Sequence, residues 1–127
     1  MAKVLGVGGV FFKSPDGDAM RAWYSRVFGM EFQDWGGALF RPQAAAAHPG
    51  AATVFSSFAQ DTDYFAPSEK EFMINLMVDD LDAILARAKA EGVEPVKLMM
   101  NEANGHFAHI IDLDGRKIEL WQPKPMS

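Results

Sequence analysis

The feature that most constrains this 127-residue chain is an internal repetition. The first half opens with a Val- and Phe-rich run, Val4 to Lys13, which reads as a strand. The turn Ser14-Pro15-Asp16-Gly17-Asp18 ends it, because Pro and Gly break a strand and Asp can cap a helix. Met20, Trp23, Tyr24, Val27 and Phe28 then recur at helical spacing up to Gly29, a residue that tolerates the left-handed cap. The second half repeats the order. Phe72 to Val78 reads as a strand, Asp79-Asp80 as a cap, and Leu81, Ile84, Leu85 and Ala88 as one helix face stopped by Gly92. Asp18-Ala19 and Asp82-Ala83 lie 64 positions apart and Gly29 and Gly92 lie 63 apart, so a single-residue gap superimposes the halves. Agreement of element order favours duplication.

The remaining segments follow from turn chemistry. Met30 to Gln33 and Trp35 to Arg41 alternate as short strands about Gly36-Gly37, and Ala52 to Phe58 reads as a further strand. The alanine run before His48-Pro49-Gly50 reads as a loop. Val93 to Met100 is a strand, and His106 to Asp112 with Lys117 to Trp121 form a hairpin about Leu113-Asp114-Gly115-Arg116. The expectation is one α+β domain over residues 1–127, with module one at about 4–58, a polar linker at about 59–70 and module two at about 71–123.

Composition then removes whole classes of chemistry. Without cysteine there are no disulfides, thiolate nucleophiles or thiolate metal sites, and only His48, His106 and His109 remain as imidazoles. A net charge of −5 with scattered bases argues against nucleic acid as a partner. The charge-free stretch Pro42 to Gln60 is interrupted by Pro, Gly and polar residues, so no membrane span is expected. The amino terminus lacks an apolar leader, and a cytoplasmic location is expected. No dinucleotide fingerprint, phosphate loop or nucleophile elbow occurs.

Three segments carry a resemblance. They are Gly8-Gly9-Val10-Phe11-Phe12-Lys13-Ser14-Pro15-Asp16 leading into Ala22 to Met30, Val78-Asp79-Asp80-Leu81-Asp82-Ala83 with Gly92-Val93, and Ile111-Asp112-Leu113-Asp114-Gly115-Arg116-Lys117-Ile118-Glu119-Leu120-Trp121. In these the chain resembles the vicinal-oxygen-chelate superfamily of glyoxalases, bleomycin-resistance proteins and extradiol dioxygenases, with Leu113 where the family usually has Pro. The resemblance implies two βαβββ modules forming curved mixed sheets around a cup, the glyoxalase/bleomycin-resistance/dioxygenase fold. It also implies a homodimer, and in metal-using members a divalent ion that polarises vicinal oxygens of the substrate. Carried over position by position, the first-strand ligand falls at Gly9, its counterpart in module two at Met73, and the last-strand carboxylate at Glu119. The remaining ligand would fall within 53–58, where there is no His, Asp or Glu. Only Glu119 keeps a family position, so no metal site is expected: no cofactor is called for, and a divalent metal is disfavoured.

His106 and His109 are three apart, which on a strand places them on opposite faces. A hairpin centred on Asp114 pairs His109 with Glu119 on one face, so these two are the candidate catalytic or polar-anchoring residues. Partial burial of Glu119 would raise its pKa and suit it to general-base work. Phe11, Phe55, Met73, Met77, Phe107 and Trp121 are the candidate ligand-binding residues, since strand positions among them would line an apolar cup. Three functions follow: metal-free binding of a small, partly apolar molecule, which the missing ligands favour; a metal-dependent lyase, isomerase or dioxygenase; or a metal-free acid–base enzyme using His109 and Glu119. Whether the chain is an enzyme is left open between them.

Overall fold

Two aspartates start the two long helices. In the computed structural model, which describes residues 1–125, Asp16 precedes α1 (Gly17–Phe28) and its side chain accepts from the Ala19 amide. Asp80 does the same for α3 (Leu81–Ala90) through the Ala83 amide. Each cap satisfies an amide that the helix leaves unpaired, which stabilises by about 1 kcal/mol. Gly29 ends α1 at φ 72°, a left-handed conformation that costs a residue with a Cβ. Arg87, from α3, donates to the Ser25 and Arg26 carbonyls and so closes the C-terminal end of α1 from outside.

Between these helices lies α2 (Pro42–Ala46), where the alanine run was expected to be a loop. Pro42 supplies the fixed φ of a first helical position and alanine is the best helix former, so one short turn forms before His48-Pro49-Gly50 ends it.

The sheet comes entirely from the second half. Strands β1 (Ile74–Met77), β2 (Lys97–Glu102), β3 (Gly105–Ile111) and β4 (Lys117–Pro123) lie in the order β1-β4-β3-β2, an unclosed mixed sheet in which only β1 and β4 run parallel. This α+β arrangement, a complete βαβββ unit, agrees with the fold class expected from sequence. The strands expected in module one do not form: among the described residues, 4–13, 30–41 and 51–58 contain no strand. These segments find no neighbouring backbone to pair with, and a strand cannot satisfy its own amides and carbonyls.

Register decides what each sheet face presents. On one face the rows Ile74–Ile118–Ile110 and Leu76–Leu120–Ala108 pack under both helices. Trp23, Tyr24, Val27 and Phe28 of α1 and Leu81 and Ala88 of α3 complete this core, where each fully buried Leu or Ile contributes about 1.5–3 kcal/mol. The helix of the first half therefore shares the core of the second. A polar network locks it there: the Tyr24 hydroxyl donates to Asp112, Arg116 Nη1 donates to the same carboxylate at 2.8 Å, and Arg116 Nη2 donates to the Lys13 carbonyl at 2.6 Å. Among the described residues no helix is long and apolar enough to cross a membrane.

Candidate ligand-binding site

The other sheet face carries two adjoining rows of different chemistry. Asn75–Glu119–His109–Lys97 lie across β1, β4, β3 and β2 as one row, and Met77–Trp121–Phe107–Met99 as the next. Rows two residues apart along a strand are about 7 Å apart. The hairpin register pairs His109 with Glu119, as the turn at Asp114 implied.

Glu119 is the hub of the polar row. His109 Nε2 lies 2.7 Å from its Oε2, the Tyr64 hydroxyl donates to the same oxygen at 2.6 Å, and Asn75 Nδ2 donates to Oε1 at 2.8 Å. Burial alone pushes the carboxyl pKa up and is the largest single influence. The hydrogen bonds from His109, Tyr64 and Asn75 together outweigh it, so the net shift is downward. This corrects the expectation of a raised pKa: Glu119 is a stabilised carboxylate and a poor proton acceptor. Tyr64, half-buried and facing that carboxylate, is shifted upward by burial first and by Glu119 second, so it stays a neutral donor.

His109 is fully buried, and its Nδ1 has no hydrogen-bond partner within the described residues. With Nε2 directed at a carboxylate, that nitrogen is the donor of the contact, and Nδ1 is the ring atom left without a partner. The Tyr64 ring meets His109 edge-on, with centroids 5.1 Å apart, and Phe58 stacks on Tyr64 at 5.3 Å.

The apolar row holds three of the expected ligand-binding residues. Phe107 and Trp121 stack with an interplanar angle of 1° at 6.0 Å, and Met77 pairs with Trp121 across β1 and β4. Trp121 is buried and its Nε1 donates to the Asn104 carbonyl, whereas Phe107 is partly exposed and Met77 is open. Met73 stands just before β1, partly buried. Phe11 and Phe55 are not brought to this face; both are more than 90% exposed on segments outside the sheet. Phe11 lines a separate hollow of about 390 Å³ with Phe12, Phe72 and Arg116. His106 pairs with Gln122 on the opposite face, and its Nδ1 accepts from the Asn101 amide.

Tyr64, Asn75, Lys97 and Lys117 were missed. Asn75 had a signal, a lone amide in an otherwise apolar strand, and Lys117 shares the strand parity of Glu119. Tyr64 had none, because it reaches Glu119 from the linker across 55 positions.

A family model described as Glyoxalase/Bleomycin resistance protein/Dioxygenase superfamily matches residues 9–120. The chain belongs to this superfamily. No curated protein sequence matches it. Among solved structures, a protein of unknown function from Agrobacterium tumefaciens str. C58 is 18% identical over 94% of this chain and 98% of its own, at a TM-score of 0.53. TioX from Micromonospora sp. ML1 is 19% identical over 87% of this chain and 92% of its own, at 0.51. At those identities the likeness is one of fold. TnmS3, an antibiotic binding protein from Streptomyces sp. CB03234, is 37% identical over 40% of this chain and 41% of its own, at a TM-score of 0.37. That is a likeness of one segment; the chain spans about two-fifths of TnmS3.

Metal-using members of the superfamily raise the question of whether these residues could hold a divalent ion. They do not fit one. Both Glu119 oxygens are engaged by protein donors, the His109 nitrogen nearest to them is spent on Glu119, and Gly9 and Met73 offer no hard ligand. Among the described residues no three His, Cys, Asp or Glu side chains converge on one point.

Proposed function

We propose that this superfamily member binds a small, partly apolar molecule on the sheet face turned away from its helices, without a metal ion. The observation that carries this is the juxtaposition of two rows. A flat apolar surface, Met77–Trp121–Phe107–Met99, adjoins a polar row whose one retained family carboxylate is saturated by Tyr64, Asn75 and His109. Stacked aromatics flanked by methionines suit planar ligands of varied outline. Titration with aromatic compounds, followed by tryptophan fluorescence and thermal shift, tests it. Hits should raise Tm equally with and without chelator. Stoichiometric zinc, nickel, manganese or iron in the purified protein, lost in Glu119→Ala, would overturn the metal-free reading.

The 2.7 Å contact between His109 and Glu119 favours a second reading, a metal-free acid–base enzyme. In it His109 and Glu119 serve together as the acid–base pair. If turnover is found and His109→Ala keeps all of it, this reading is gone.

We also infer a cytoplasmic homodimer. Val4, Leu5 and Phe55 are at least 90% exposed on strand-patterned segments that pair with nothing within the described chain. Light scattering on a sizing column should give twice the chain mass; a monomer at micromolar concentration would rule the dimer out.

A further inference from the structure

Beside the polar row, two lysines converge on one hollow. Lys97 and Lys117 both place Nζ 5.3 Å from the centre of the Tyr64 ring, and both line a depression of about 200 Å³ with Asp63, Tyr64, Ala66, Pro67 and Val96. Lys97 is exposed and Lys117 is buried, with one of its protons given to the Tyr64 carbonyl at 2.6 Å. Among the described residues neither lysine forms an ion pair. Asp63 lines the same hollow without reaching either ammonium, and Glu119 is already held by other donors.

Two ammonium groups facing one cavity repel each other, and Glu119 and Asp63 offset that repulsion only from a distance, without an ion pair to either lysine. The Lys117 pKa is pushed down, first by burial and then by Lys97, and the attraction of Glu119 and Asp63 does not reverse the shift. An anion entering the hollow would accept from Lys97 and from the remaining protons of Lys117, relieving the repulsion while gaining charge-assisted hydrogen bonds.

We propose that Lys97 and Lys117 form an anion subsite that holds the carboxylate of the bound molecule, while its flat body lies over Phe107 and Trp121. The subsite rests on the small-molecule reading above and narrows it to carboxylate-bearing aromatics. Lys97 stands one row, about 7 Å, from Met99 along β2 and Lys117 two rows, about 13 Å, from Trp121 along β4, so it is through Lys97 that a bound molecule reaches from the hollow to the apolar row.

The test uses 2-naphthoate, its neutral isostere 2-naphthamide, and acetate alone, titrated into the wild-type chain and into Lys97→Met, Lys97→Glu and Lys117→Met. Wild-type protein should bind the naphthoate about tenfold more tightly than the amide. Lys97→Met should close most of that gap, weakening the naphthoate far more than the amide. Lys97→Glu should reverse the preference. Lys97 is exposed, so these variants fold; Lys117→Met is interpreted only where amide binding persists. Equal affinity of naphthoate and naphthamide in wild type, or an undiminished gap in Lys97→Met, overturns the subsite and leaves the apolar site standing. If neither naphthalene compound binds but acetate shifts the Lys97 and Lys117 resonances by NMR, the anion subsite survives and the stacking surface falls. Silence from all three probes overturns both.

Discussion

In the second half of the chain four strands and a helix close on one another; in the first half only α1 finds a place, and strand-patterned segments on both sides of it stay unpaired. The contrast follows from how each element satisfies its backbone. A helix pairs its amides and carbonyls within itself and needs only somewhere to put its apolar stripe. Trp23, Tyr24, Val27 and Phe28 put theirs against the sheet of the other half. A strand depends on a neighbour: α3 carries the chain from β1 to β2 at the far edge of the sheet, and the β2-β3-β4 meander then returns to lay β4 parallel beside β1. Similar patterns thus end in a core in one half and in exposed apolar side chains in the other.

The junction between the halves should give the largest effect. Arg116 is 2% exposed and joins Asp112 and Asp114, beside Tyr24 on α1, to the Lys13 carbonyl. Arg116→Leu leaves Asp112 charged and buried without its cation, which should cost about 3–5 kcal/mol in urea unfolding. A loss below about 1 kcal/mol would mean that the halves do not fold as one cooperative unit.

Next in size is a matched pair of truncations. Ile118→Ala removes a fully buried side chain between the helices and the sheet, and should destabilise by about 2–5 kcal/mol. Phe55→Ala removes a larger side chain that is 94% exposed, and should change monomer stability by no more than about 0.5 kcal/mol. If Phe55→Ala instead weakens self-association measured by sedimentation, the first half completes itself against a second copy. Equal costs for the two would break the comparison.

What was legible in the sequence divides along the same line. Both caps, both glycine stops, all four strands of the second half and the His109–Glu119 pairing followed from local pattern and turn geometry. The strand signals of the first half were as clear to the eye, but pairing is non-local and no window of residues reports it. The direction of the Glu119 pKa failed for a related reason. Burial could be inferred from strand position, whereas the Tyr64 hydroxyl that helps reverse its effect arrives from the linker.

The smallest effect concerns that linker contact, through which a segment between the halves is tied to the sheet. Because the folded-state pKa of Glu119 is depressed, its ionisation stabilises the fold. That contribution is fully present above the ordinary carboxylate range and is lost as pH falls through the depressed value. Urea midpoints of the wild-type chain should therefore decline with acid more steeply than those of Glu119→Gln, which carries no charge there to lose. Tyr64→Phe removes one of the donors that hold the carboxylate ionised, so its acid limb should fall between the two, moved to higher pH than in wild type. An acid limb in Tyr64→Phe identical to the wild type would detach the linker from the carboxylate and leave Asn75 and His109 alone to hold its charge.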